Sequence, residues 1–213
     1  MKQGLFITFE GPDGSGKTTV STAVTKRLIN EGYRVLYTRE PGGSRIAEQI
    51  RNIILDPQNT EMDARTEALL YAASRRQHLT DIVLPALKDG ITVISDRFVD
   101  SSLAYQGVGR EIGIEAVMDI NRFAVEGHMP QTTIYLDIDP DTGLKRIADR
   151  KFLDRLDQEA ASFHHKVYKG YQEVTRMYRD RMIFIDASRT PEEVIEEAYM
   201  AVRSLLDAAE TDG

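Results

Sequence analysis

"FEGPDGSGKTTV", residues 9–20, contains the pattern G-x-x-x-x-G-K-[ST], which begins at Gly11 and ends at Thr18. An apolar run, "LFITF", precedes it, and residues 17–30 carry apolar side chains at helical spacing. Between a strand and a helix, this pattern forms a loop whose backbone N–H groups converge on phosphate oxygens beside the positive end of the helix dipole. The stretch therefore predicts a phosphate-binding loop in an α/β fold.

The rest of the chain alternates short apolar runs with longer segments of helical period. The predicted strands cover residues 5–9, 34–38, 91–95, 133–138 and 182–186. The predicted helices cover residues 17–30, 63–88 with a bend near Pro85, 111–126, 142–149 and 158–181, and a last helix follows Thr190 as its N-cap. Strands that are apolar on both faces are typical of parallel sheets covered by helices. The order predicts a doubly wound α/β sheet with its site at the carboxyl ends of the strands.

Composition limits the classes of function. The 213 residues form one predicted domain, 1–213, with a formal net charge of −7 and no cysteine. The missing cysteines exclude disulfides, a thiolate nucleophile and Cys-ligated metal sites. The acidic balance disfavours non-specific binding to nucleic acid or to an anionic membrane. No signal peptide or membrane-length apolar segment is visible, so we expect a cytoplasmic protein that binds neither nucleic acid nor membrane.

The phosphate loop predicts nucleoside triphosphate binding. Lys17 places positive charge on the transferring phosphate, and the Thr18 hydroxyl can ligate Mg²⁺. The residues expected to hold the ATP phosphates are those of the loop and its neighbour, namely Gly11, Pro12, Asp13, Gly14, Ser15, Gly16, Lys17, Thr18 and Thr19. The carboxylate of Asp13 is unexpected in an anion-binding loop, because it would repel phosphate unless it faces a cation or another partner.

A second pair of polar residues follows the third predicted strand. In "ISDRF", Asp96 can hold Mg²⁺ through water and Arg97 can neutralise phosphate charge as it spreads. A structural Asp–Arg pair that caps the strand is the alternative. No Asp-x-x-Gly or Asn-Lys-x-Asp motif of a GTPase is present in the expected places.

Two segments carry polar and aromatic residues four positions apart, and so on one helical face. "YAASRRQHL" pairs Tyr71 with Arg75, and "SSLAYQG" pairs Ser101 with Tyr105 and Ser102 with Gln106. An aromatic face, a guanidinium and an amide could together hold a planar base. Taken singly, the tyrosine is equally consistent with the core and the glutamine with the surface.

Six blocks of the chain together resemble the bacterial thymidylate kinase family. They are "FEGPDGSGKTT", "TREPGGS", "RTEALLYAASRRQHL", "DRFVDSSLAYQG", "TIYLDI" and "RLDQE", in the order and spacing of that family. The resemblance implies the P-loop nucleoside monophosphate kinase fold, with three layers, a five-stranded parallel sheet flanked by helices, and a short mobile lid. It also implies a homodimer that transfers the γ-phosphate of MgATP to dTMP, giving dTDP and ADP for dTTP synthesis.

The resemblance also implies roles for individual residues. Lys17, Arg97, Asp13 and a lid arginine would be catalytic, and Thr18 and Asp96 would serve Mg²⁺. The residues implied for dTMP are Asp13, Glu40, Arg51, Tyr71, Arg75, Arg97, Ser102, Tyr105 and Gln106. Among them, Tyr71 would stack on thymine while Arg75 and Gln106 bond its edge, and Arg51 and Arg97 would approach the acceptor phosphate. Tyr105 would lie under the sugar, and Asp13 would reach toward the acceptor's 3′-hydroxyl.

The lid is expected within "RIADRKFLDRLDQE", residues 146–159, about two residues shorter than is usual in the family. Because Gly14 follows Asp13 where some relatives carry an arginine, the lid should supply that charge. Arg150, Lys151 and Arg155 are the candidates, and Arg155 aligns most naturally with the family pattern.

Two other functions remain open at the level of sequence. One is a kinase for a different small molecule, and the other is a nucleotide-dependent switch that phosphorylates no monophosphate. The histidines show no i, i+4 pair for a metal and are interpreted as ordinary helix or surface residues; they are His78, His128, His164 and His165.

Overall fold

The computed structural model describes residues 3–148 and 154–211. Five strands form one parallel sheet in the order β2-β3-β1-β4-β5. The strands are β1 (Phe6–Glu10), β2 (Val35–Arg39), β3 (Thr92–Asp96), β4 (Thr132–Asp137) and β5 (Met182–Asp186). The register pairs Phe9 of β1 with Asp96 of β3 and with Ile134 of β4. The carboxyl ends of β1 and β3 therefore meet at one edge of the sheet, which brings the phosphate loop beside Asp96.

Helices cover both faces of the sheet. They are α1 (Lys17–Asn30), α2 (Arg45–Leu55), α3 (Ala64–His78), α4 (Leu84–Lys88), α5 (Val99–Ser102), α6 (Ile114–Val125), α7 (Pro140–Ala148), α8 (Ala161–Met177) and α9 (Pro191–Thr211). Helices α1 and α9 pack against one face, around Val24, Leu28, Ala198 and Tyr199. The other face packs against α4, α6 and α8 through Leu87, Val117 and Val174, together with Val83 and Phe98. This is the predicted three-layer α/β fold.

The helices differ in detail from the prediction. The bend expected near Pro85 is a π-helical turn, Leu79–Val83, which lies before the proline and joins α3 to α4 without a break. A second π-helical turn, Leu103–Gly109, continues α5. The predicted helix 111–126 begins only at Ile114, because Gly113 adopts a φ of 98° that interrupts the helix.

Helix α2 was not among the predicted helices, although its sequence is amphipathic: Ala47 and Ile54 are buried, whereas the polar Gln49 and Asn52 are exposed. At the C-terminus the capping box is present, since Thr190 N–H bonds Glu193 Oε2 at 3.1 Å. No helix within the described ranges has the length and apolar character needed to span a membrane.

Candidate active site

The phosphate loop lies between the end of β1 and the start of α1. Lys17 extends back across the loop, and its Nζ donates to the carbonyl oxygens of Gly11 and Pro12, each at 2.8 Å. Burial and the nearby Arg97 guanidinium lower the pKa of Lys17 to about 8. Gly14 has a φ of 79°, and a Cβ there would clash with the backbone of Gly143 in α7. With α7 placed as it is in this structure, only glycine fits this position.

Thr18 and Asp96 form a pair of oxygen donors beside the loop. The Thr18 hydroxyl donates to Asp96 Oδ2 at 2.5 Å, which joins the first turn of α1 to the end of β3. Both side chains line the main cavity. Hard oxygen ligands, a carboxylate among them, suit Mg²⁺ that is also bound by substrate phosphates. The residues present therefore fit the implied ion.

Asp13 faces three cationic or hydrogen-bonding partners. Arg97 donates through its terminal nitrogen to Asp13 Oδ1, and the Tyr105 hydroxyl donates to Oδ2 at 2.7 Å. His164 Nδ1 lies 3.9 Å from Oδ2. Burial opposes ionisation, but Arg97, Lys17 and Tyr105 lower the pKa of Asp13 to about 2. The carboxylate that looked misplaced in the loop is therefore the centre of a polar cluster.

Glu10 stabilises the turn that carries Arg97. Arg97 has a φ of 73°, a left-handed conformation that is costly for a residue with a side chain. The Arg97 N–H bonds Phe9 O at 3.0 Å, and Glu10 Oε1 accepts from Phe98 N–H at 2.7 Å. The Ser101 hydroxyl donates to Glu10 Oε2 at 2.5 Å. These bonds hold the turn that aims the Arg97 side chain. Burial, and then Asp100, raise the pKa of Glu10 to about 7.

Arg75 and Glu40 form a buried ion pair that lines the same cavity as the phosphate loop. Arg75 Nε donates to Glu40 Oε2 at 2.7 Å, and both side chains are 2% exposed. The other Arg75 N–H groups bond Ser102, Asn121 and the Phe98 carbonyl oxygen. A hydrogen bond from Arg75 to a base therefore requires an exchange of one of these contacts, such as one of the two with Ser102.

Gln106 belongs to a second buried network. Its Nε2 donates to Glu67 Oε1 at 2.8 Å, and both residues are 1% exposed or less. Glu67 also pairs with Arg110 at 3.1 Å and with Arg155 at 2.5 Å. In addition, Arg155 Nε donates to the carbonyl oxygen of Ile54 at 2.8 Å.

One cavity of about 250 Å³ extends from the phosphate loop to the side chains of Tyr71, Arg75 and Gln106. Its lining contains most of the residues predicted from sequence, namely Asp13, Gly14, Gly16, Lys17, Thr18, Thr19, Glu40, Arg51, Tyr71, Arg75, Asp96, Arg97, Ser102, Tyr105 and Gln106. Arg51 donates to the carbonyl oxygen of Pro41 at 2.8 Å. Gly11, Pro12 and Ser15 belong to the loop without lining the cavity, and Arg155 lies buried beside it.

Comparisons with known proteins agree with this geometry. The family model described as thymidylate kinase matches residues 9–198. The chain belongs to the thymidylate kinase family. A thymidylate kinase of Geobacillus sp. (strain WCH70) is 54% identical over 207 residues, which cover 96% of this chain and 99% of that one. One from Lactobacillus delbrueckii subsp. bulgaricus is 57% identical over 206 residues, which cover 95% and 97% of the two chains.

A solved structure has the same fold. The crystal structure of thymidylate kinase from Ehrlichia chaffeensis superimposes with a TM-score of 0.75 at 30% identity, covering 94% of this chain and 99% of that one. The five-stranded parallel sheet flanked by helices is thus confirmed as the fold of a thymidylate kinase.

Several residues in or beside the cavity were not predicted from the sequence. Arg39, Asp154 and Asp157 also line the cavity, and Glu10 and Glu67 are fully buried beside it. A signal for Glu10 was present, because an acidic residue ends the apolar strand "FITFE".

Two of the histidines are also more than ordinary helix or surface residues. His78 is fully buried, with Nδ1 donating to Glu40 Oε1 at 2.9 Å. His164 is 5% exposed, and its Nε2 has no hydrogen-bond partner among the described residues. Periodicity could not distinguish these positions from surface ones, because their neighbours come from other parts of the chain. The lid candidates Arg150 and Lys151 lie outside the described residues.

Proposed function

We propose that ATP and dTMP bind next to each other in this cavity. The phosphate loop would bind ATP, the donor, and the part lined by Tyr71 and Gln106 would bind dTMP, the acceptor. The chain is an enzyme of nucleotide biosynthesis, a kinase that phosphorylates dTMP to dTDP with ATP as the donor. The observation that carries the assignment of the two sides is the Asp13–Arg97–Tyr105 cluster, in which a loop carboxylate binds two residues that line the same cavity as Tyr71 and Gln106. Arg97, whose left-handed backbone is stabilised by the Phe9 and Glu10 contacts, would contact both substrates from this position.

Phosphoryl transfer needs alignment and neutralisation of charge more than covalent help from the protein. Lys17 would neutralise the donor phosphates, and Arg97 would bridge the donor and acceptor phosphates as charge spreads between them. Thr18 and Asp96 would hold Mg²⁺, which supplies further neutralisation of the phosphate oxygens. The backbone N–H groups from Gly11 to Thr19 would hold the remaining donor oxygens.

On the acceptor side, Arg51 would bind the dTMP phosphate and Tyr71 would stack on the thymine ring. Gln106 and Arg75 would bond the edge of the base, with Ser102 and Glu40 holding Arg75 in place. The Tyr105 ring would lie under the sugar.

Asp13 would accept a hydrogen bond from the 3′-hydroxyl of dTMP. Its bond to Arg97 would fix the position of the two substrates relative to each other. Arg155, proposed as the catalytic lid arginine, is held by Glu67 in the described arrangement. Its approach to a transferring phosphate requires release from that carboxylate, so this role stays a prediction.

The placement of the acceptor phosphate is tested with Arg51→Ala. Calorimetric titration should show dTMP binding weakened by about 10-fold or more, because a charge-assisted bond to phosphate is lost, while thymidine, which lacks the phosphate, binds as before. Arg45→Ala is the matched control, since this exposed arginine lies on the same helix. Equal losses for dTMP and thymidine would show that Arg51 does not face the phosphate.

A homodimer is proposed through the face formed by α2, α3 and α6. Helix α3 packs between the other two, and the three carry exposed apolar side chains: Ile53 is 50% exposed, Leu69 55% and Phe123 88%. Burial of such a face against a second copy removes apolar surface from water. The cytoplasm is the proposed compartment, where dTDP feeds dTTP synthesis for DNA replication.

A further inference from the structure

We infer that Glu67 is a positioning residue that sets the direction of the Gln106 amide, and that it thereby selects a pyrimidine with an N3–H donor over one with an N3 acceptor. The inference rests on the proposed position of the base against Gln106. Glu67 itself lies outside the lining of the cavity, behind Gln106.

The direction of the amide follows from the chemistry of its partner. An ionised carboxylate only accepts hydrogen bonds, so the NH₂ group of Gln106 must face Glu67, at the observed 2.8 Å. The carbonyl oxygen Oε1 then points away from Glu67, and it makes no hydrogen bond to any described residue. Gln106 lines the cavity, and with its NH₂ group bound to Glu67 the oxygen Oε1 is the side-chain group left to accept a hydrogen bond from a ligand there.

Glu67 is held in the ionised state by two guanidinium groups. Burial alone would raise its pKa, but Arg110, Gln106 and Arg155 together lower the pKa below its usual value. Arg110 is also paired with Glu159 at 2.6 Å, and Arg155 is anchored on the Ile54 carbonyl oxygen. The carboxylate can therefore neither rotate away nor become a donor near neutral pH.

The outward carbonyl oxygen discriminates between bases. Thymine and uracil carry a proton on N3, which can donate to Gln106 Oε1. Cytosine carries a lone pair on N3, which would face the same oxygen and leave two acceptors in contact without a proton. A mismatched buried polar group lowers affinity by about 10-fold or more. The 5-methyl group of thymine is not sensed by this contact, so dTMP and dUMP should be affected alike.

The test compares kcat/KM for dTMP, dUMP and dCMP in wild type and in Glu67→Gln. Where dCMP turnover is too slow to follow, its inhibition constant against dTMP replaces kcat/KM. A glutamine at position 67 can offer either its carbonyl or its NH₂ group, so Gln106 becomes free to turn. We expect the dUMP:dCMP ratio to fall about 10-fold or more while the dTMP:dUMP ratio stays unchanged. A general loss of folded enzyme would lower all three rates together and leave both ratios intact.

Glu159→Gln is the matched control, because it removes the other carboxylate from Arg110 without touching Gln106. It should leave both ratios at their wild-type values. If Glu67→Gln fails to fold because of unbalanced buried cations, the charge-balanced variant Glu67→Gln/Arg110→Gln is measured instead, and the same fall in dUMP:dCMP is expected.

Gln106→Leu separates this inference from the proposed site. It should lower the dUMP:dCMP ratio by itself, and Glu67→Gln should add nothing in that background, because the two residues act through one contact. If Gln106→Leu lowers the ratio but Glu67→Gln leaves it unchanged, Glu67 does not orient the amide and the inference is overturned while the base pocket stands. If Gln106→Leu also leaves it unchanged, the base does not lie against Gln106 and both are wrong.

Discussion

At the scale of single residues, Arg97 shows what sequence can and cannot predict. Its position after an aspartate at a strand end indicated a role in charge neutralisation. Its positive φ and its bond to Asp13 depend on the Phe9 carbonyl oxygen and on Glu10, which come from a distant part of the chain. No local pattern encodes such contacts. Asp13 was likewise recognised as unusual, but its partners Tyr105 and His164 were visible only in the fold.

Arg97→Ala should lower kcat by about 10²-fold or more, because in the proposed site the charge developing between the two phosphates loses the guanidinium that bridges them. Steady-state kinetics with both substrates would measure this. Arg122→Ala, a substitution of an arginine 61% exposed on α6, is the control and should leave kcat unchanged. A rise in KM with kcat intact would mean that Arg97 binds only the ground state.

At the scale of elements, the strands were predicted to within one residue from their short apolar runs. All five residues of β1 and of β3 are buried, whereas the outer strands β2 and β5 are partly exposed. The π-helical turns were not predicted, since they follow from packing: a Cβ on Gly170 of α8 would lie only 2.8 Å from Ala104 in the second turn. A similar close approach joins α7 to the phosphate loop. Gly143 lies in α7, and a Cβ there would clash with the backbone carbonyl oxygen of Asp13. This glycine lets the helix after β4 touch the loop directly.

Gly143→Ala should therefore move the phosphate loop. In a free helix this change would stabilise the protein by up to about 1 kcal/mol, so a loss of stability would report the clash. We expect a lower Tm and a raised KM for ATP, with the KM for dTMP less affected. Thermal unfolding and kinetics would measure both effects, with the exposed Lys145→Ala on the same helix as the control. An unchanged or higher Tm with normal ATP kinetics would contradict the contact.

At the scale of the whole molecule, the net charge of −7 contrasts with a site that binds two anions. Positive charge is concentrated where β1 and β3 end, in Lys17 and Arg97, and Arg51 lines the same cavity on its proposed acceptor side. The fold class and this concentration could be predicted from motifs. The exposed apolar face of α2, α3 and α6 could not be predicted from the sequence. Helix α2 was not recognised, and only the fold shows that these three helices lie side by side.

The proposed dimer is tested with Phe123→Glu. Light scattering after size exclusion should show a dimer for wild type and a monomer for the variant, because the new charge would be buried against a second copy. Met200→Glu, at a side chain 54% exposed on α9, should remain a dimer. A monomeric wild type at micromolar concentration would contradict the proposed interface.

The acceptor preference of the wild-type enzyme tests whether the cavity binds thymine as proposed. ADP release from MgATP should be followed with dTMP, dCMP, UMP and AMP as acceptors at equal concentrations. If the cavity positions thymine against Tyr71 and Gln106, dTMP should be phosphorylated at least about 10-fold faster than dCMP and AMP, judged by the cost of unpaired polar groups in the pocket. UMP presents the same base edge as dTMP apart from the methyl group, so a slower rate with UMP would report the 2′-hydroxyl beside Tyr105. A rate with AMP comparable to that with dTMP would contradict the account.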